Sequence, residues 1–98
     1  MEIFLDDRGV VLFRGALVAS TIDSAYGSLE NILENTGRNI SVDLSGVEEI
    51  DISGLQLLCS LKKTFAVDGS MRIVSMSPQV REAMDVSGFA NIITESFS

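Results

Sequence analysis

The 98-residue sequence predicts an α/β domain: a mixed β-sheet of about five strands, opened by an antiparallel hairpin and continued by parallel strands, with three main helices packed on it. Three observations predict this. Apolar residues alternate at period two in some segments and recur at three and four residues in others. The two kinds of segment follow each other along the chain, so that later strand-helix-strand units are right-handed crossovers between parallel strands. Each helical segment is also followed by a glycine, Gly37, Gly69 or Gly88, the residue suited to a left-handed helix cap. No linker, repeat or low-complexity stretch interrupts the plan, and residues 1–98 read as a single domain.

Ile3 to Leu5 and Val10 to Phe13 are short β-prone runs separated by Asp6, Asp7, Arg8 and Gly9, a hairpin signal. From Ser20 the period changes. Ile22, Ala25, Tyr26, Leu29, Ile32 and Leu33 mark one face of a first helix, with Ser20 and Asp23 at its start and Gly37 past its end. Ile40, Val42 and Leu44 alternate with Ser41 and Asp43 as a strand, and Ser45 to Glu49 read as an acidic loop. A second helix is expected over about Ile52 to Val67, then a strand over Met71 to Val74. Ser77 followed by Pro78 opens a third helix, because proline at the first helical position gives up an amide that has no partner anyway. Asn91 to Thr94 make a last short strand.

Composition excludes much. The chain carries 14 acidic and 7 basic side chains, a net charge of −7, and no Lys/Arg cluster. Such a surface repels phosphate backbones and anionic lipid heads, so nucleic acid and membrane are poor partners and a basic or mixed-charge protein is a better one. No apolar run is long enough for a membrane helix, and Met1 to Arg8 lack the pattern of a signal peptide, so the expected location is cytoplasmic. There is no histidine, hence no ordinary neutral-pH general base and no imidazole metal site. Cys59 is the only cysteine, which excludes an internal disulfide, and its apolar surroundings read as those of a small buried hydrophobe. Neither a cofactor nor a metal is implied.

The most informative stretch runs from Asp43 to Leu61. A strand ends at Leu44, the acidic loop with Glu48 and Glu49 follows, and a helix opens at Asp51 or Ser53 with Gly54 in its first turn. Glycine costs up to about 1 kcal/mol relative to alanine inside a helix, so Gly54 needs a compensating reason, such as close approach by another chain. On a helical wheel Leu55, Leu58, Cys59, Leu61, Phe65 and Ala66 form one apolar face, with Leu57 at its margin. Ser53, Gln56, Ser60, Lys63 and Thr64 lie opposite, which turns the Ser53 hydroxyl to solvent. Ser53 with Gln56 also fits a capping box, and Asp51 is a good N-cap, so both can serve simply to start a helix.

The segment from Asp43, Leu44, Ser45, Gly46 and Val47 to Asp51, Ile52, Ser53, Gly54 and Leu55 resembles the signature of STAS domains, best known from bacterial anti-sigma factor antagonists. Gly15, Ala16 and Leu17 stand where that family has a Gly-Glu-Leu element, and Ser75 to Gly88 is similar to its later strand-to-helix stretch. Val18 and Ile52 differ from residues common in the family. The resemblance implies a non-catalytic, STAS-like protein-interaction module, here an anti-sigma factor antagonist in transcription regulation. It also implies phosphorylation of Ser53 by a partner that is both serine kinase and anti-sigma factor, and resetting by a phosphatase. Asp51, Ile52, Gly54, Gln56, Leu57, Glu48 and Glu49 are the candidate partner-binding residues, with Phe89 a further one, on a monomer or weak dimer. The alternative is a constitutive scaffold or subunit of a chemotaxis-like signalling or lipid-transport assembly, in which Ser53 is a helix cap only. An enzymatic role would have to rest on Asp43, Glu48, Glu49 and Asp51, with neither a nucleophile nor a phosphate-binding loop beside them.

Overall fold

In the computed structural model, which describes residues 1–88, the chain first reverses at Asp6 to Gly9. The Asp6 carboxylate accepts hydrogen bonds from the amides of Arg8 at 2.8 Å and Val10 at 2.9 Å, and Gly9 takes φ 81°. The Val10 amide is the main reason the Asp6 carboxyl is held below its ordinary pKa. This turn joins β1 (Glu2–Leu5) to β2 (Val10–Leu17) as an antiparallel pair. There follow α1 (Ile22–Leu33), β3 (Asn39–Ile50), α2 (Ile52–Ala66), β4 (Ser70–Met76) and α3 (Pro78–Ser87).

The sheet order is β1-β2-β3-β4, with β2/β3 and β3/β4 parallel, so the hairpin-then-crossover topology is as expected. Among the described residues the sheet has four strands rather than about five. The expected strand Asn91 to Thr94, and Phe89, lie outside the described residues. The core forms where period-two and period-3.6 faces meet: Val11, Phe13, Val42, Leu44, Met71 and Ile73 from the strands, and Leu29, Leu55, Leu58, Leu61, Val80 and Met84 from the helices. No helix among the described residues is long and apolar enough to cross a membrane.

Three local expectations are corrected. Ser45 to Glu49 are not a loop. They continue β3, because the strand is held against β2 through two register shifts, with Gly15 opposite Val47 and Leu17 opposite Ile50. Ser20 does not cap α1. The N-cap position is Thr21, whose hydroxyl accepts from the Val18 amide and donates to the Ala16 carbonyl at 2.8 Å, folding the β2–α1 loop on itself. Of the three glycines only Gly88 is a left-handed cap, at φ 81°; α1 and α2 end on right-handed Glu34 and Val67. Gly69 is required for space, since a Cβ there would overlap the Arg38 carbonyl that accepts from the Ser70 amide.

Candidate functional site

The site is built where β2 and β3 finish side by side, with Leu17 opposite Ile50. Asp51 leaves the strand in an extended conformation, its own amide donating to Leu17 O at 3.3 Å. Its carboxylate then does two things at once. Oδ1 accepts from the amides of Ser53 at 2.9 Å and Gly54 at 3.3 Å, capping α2, and Oδ2 accepts from the Ala19 amide at 2.9 Å. One side chain therefore starts the helix and latches the β2–α1 loop onto it, satisfying donors that would otherwise lack partners. Asp51→Ala is expected to cost about 2 kcal/mol in urea unfolding, the upper end for an N-cap because a further hydrogen bond goes with it.

Gly54 is buried directly behind this cap. A Cβ there would run into the Leu17 carbonyl oxygen and come within 2.8 Å of Ile50 Cγ1. The glycine is thus explained by the close approach of α2 to the end of β2, not by another chain. Gly54→Ala is expected to destabilise by about 1–3 kcal/mol even though alanine favours the helix by up to ~1 kcal/mol, because a backbone carbonyl does not yield as a side chain would. Thermal unfolding checks the sign; a stabilised variant would contradict the close contact.

Ser53 occupies the second helical position, half-buried, and its hydroxyl makes no hydrogen bond among the described residues. The capping-box arrangement with Gln56 is not formed, since Asp51 supplies the cap. Ser53→Ala is accordingly expected to change unfolding free energy by less than about 0.5 kcal/mol. Beside Ser53, Ile52 is 54% exposed and Gln56 is exposed. Glu48 and Glu49 are exposed on the last residues of β3.

Leu57 is a correction. It is completely buried, forming the floor of a cleft of about 160 Å³ between α1 and α2 bordered by Tyr26, Leu29, Leu33 and Leu61. Packing of α2 against α1 as well as the sheet widens its buried arc beyond what a single apolar stripe predicts, so Leu57 is not available to a partner. Cys59 is half-buried, and loss of hydration raises its thiol pKa, which disfavours the reactive thiolate. The residues brought together at the surface are therefore Asp51, Ile52, Ser53 and Gln56, while Gly54 and Leu57 lie beneath them and Glu48 and Glu49 face α3. Sequence reasoning missed Ala19, whose contact with Asp51 joins residues 32 apart and carries no local pattern, and Thr21, whose hydroxyl shapes the loop that carries Ala19 through short-range bonds to Ala16 and Val18.

With the four-stranded mixed sheet and the latched α2 N-terminus in place, the family follows from comparison: the sequence matches the STAS domain over residues 4–98. The chain belongs to the STAS domain family. A solved structure with the same fold is the crystal structure of an anti-sigma factor antagonist from Mycobacterium paratuberculosis, at TM-score 0.77 and 16% identity, covering 99% of this chain and 94% of that one. No curated protein matches the sequence. Within this STAS domain no group of acidic, cysteine or histidine side chains among the described residues converges to hold a metal ion.

Proposed function

We propose that this STAS domain is a regulatory interaction module, an anti-sigma factor antagonist that binds a partner serine kinase of the anti-sigma type and is switched off by phosphorylation of Ser53. The observation that carries the proposal is the unengaged Ser53 hydroxyl, relieved of capping by Asp51 and set beside exposed Ile52 and Gln56. The solved neighbour named as an anti-sigma factor antagonist supports the same role. In the modification step the γ-phosphoryl group of ATP passes to Ser53 Oγ, the hydroxyl proton goes to a base on the kinase, and ADP leaves. A phosphatase returns the serine by hydrolysis, water supplying the oxygen of the released phosphate. The partner-binding surface comprises Asp51, Ile52, Ser53 and Gln56 with Glu48 and Glu49, in a cytoplasmic protein.

A phosphate at the start of α2 meets a partial positive charge, which favours its retention by the fold. Asp51 already engages the Ser53 and Gly54 amides, so the added charge projects outward rather than being absorbed. Incubation with an anti-sigma-type serine kinase and ATP is expected to add one phosphate, located on Ser53 by mass spectrometry and absent from Ser53→Ala. Modification at another residue only, or none with an active cognate kinase, would overturn the proposal. The alternative of a constitutive scaffold is weakened in one respect, because the helix-cap role it gives Ser53 is filled by Asp51.

A further inference from the structure

A further surface shares Glu48 and Glu49 with the proposed partner-binding surface and runs from them along α3, without including Ser53. The end of β3 and the outer face of α3 enclose an open groove of about 370 Å³ lined by Glu48, Glu49, Ile50, Gln79, Glu82, Ala83 and Val86. The α3 residues in it fall at i, i+3, i+4 and i+7, one continuous helical face. Its apolar part is Ile50, Ala83 and Val86, and Val86 is 82% exposed. Its rim is three glutamates, none of which makes an ion pair among the described residues.

We infer that this groove docks a cationic amphipathic helix of a partner protein, its apolar stripe on Ile50, Ala83 and Val86 and its Lys/Arg side chains over Glu48, Glu49 and Glu82. Charge complementarity selects the occupant. Three unpaired carboxylates around an apolar floor repel an acidic or phosphorylated ligand, and each gains an opposite charge when a basic helix lies down. The ten residues of α3 span about 15 Å, which matches two to three turns of a docked helix. A second copy of the chain, at net charge −7, would bring like charge to the same rim. Residues 89–98 contain one glutamate and no lysine or arginine, so they do not supply the missing cations either.

The test is amide chemical-shift mapping of the full chain titrated with a synthetic 18-residue Leu/Lys peptide of helical period, at low and at high salt. Shifts concentrated on Glu48 to Ile50 and Gln79 to Val86 are expected. So are a tenfold or larger loss of affinity between 50 and 500 mM salt, and loss of those shifts in both Glu48→Gln/Glu49→Gln/Glu82→Gln and Val86→Asp. The substituted positions are exposed, and the amide spectrum of each variant reports its folding. The same shifts with Ser53→Ala show that the groove acts independently of the modification site. Shifts spread evenly over Asp6, Asp7, Glu30 and Glu34 would show mere charge attraction and overturn the inference. So would binding that survives removal of the glutamates. Concentration-dependent shifts at these residues without peptide, or contacts between residues 89–98 and Val86, would overturn it by assigning the groove to a second copy or to the chain's own terminus.

Discussion

Phosphorylated on Ser53, the domain is expected to bind the proposed kinase partner about a thousandfold or more weakly than the unmodified form does, while Ser53→Ala binds as the parent does. The phosphate adds about −1.5 to −2 charges at neutral pH beside Asp51. In the free domain water screens such a like-charge pair at ~6 Å to about 1 kcal/mol. Docking removes that water. A partner covering Ile52 and Gln56 must then desolvate a dianion, at a cost of several kcal/mol, and about 4 kcal/mol is already three powers of ten in affinity. Ser53→Asp carries a single charge on a shorter side chain, so a smaller loss, tenfold to a hundredfold by the order of ~1.4 kcal/mol per decade, is expected. Isothermal titration against the kinase, with all four forms at one ionic strength, checks the ranking. Equal affinity of phosphorylated and unmodified protein would remove the switch and leave an adaptor.

Leu57→Ala is expected to destabilise the fold by about 3 kcal/mol, within the ~2–5 kcal/mol usual for removing a buried leucine, and to lower the melting temperature by roughly 15 °C. Its side chain is wholly enclosed under the α1–α2 cleft, so the loss combines transfer of methyl groups with the cavity left behind. Ile52→Ser is the contrast. That side chain is 54% exposed and its replacement should alter stability by less than about 0.5 kcal/mol while weakening partner binding. The pair separates a core residue from an exposed residue of the proposed binding surface five positions away on the same helix. Circular dichroism melts with binding measured below the transition distinguish them, and an unchanged melt for Leu57→Ala would refute its burial.

Local pattern carried most of the element order. The alternation of Ile40, Val42 and Leu44, the three-and-four spacing of α1, and Ser77 followed by Pro78 each depend on neighbours within a few residues, and the structure shows β3, α1 and α3 where they point. Ser77 does cap α3, its hydroxyl accepting from the Val80 amide at 3.3 Å. The strand character of Ser45 to Glu49 was not legible in the same way. Serine, glycine and glutamate are poor strand formers, and what holds them extended is the neighbouring β2, a partner about 30 residues away in sequence.

The candidate site divides along the same line. Asp51, Ser53 and Gly54 stand out in sequence because a cap, a hydroxyl and an awkward glycine fall within four residues at a helix start. Which of them does which task was decided in three dimensions. The Asp51 carboxylate reaches the Ala19 amide, and the Leu17 carbonyl excludes any side chain at position 54. By itself, then, the sequence determined the α/β plan, the acidic surface and the stretch where function concentrates, since these follow from side-chain type and short-range period. Only tertiary structure decided that Asp51 rather than Ser53 caps α2, that Leu57 belongs to the core, and that Glu48, Glu49 and Glu82 share one groove. Each of those depends on the approach of segments that sequence distance hides, and hydrogen bonds and excluded volume act through space, not along the chain.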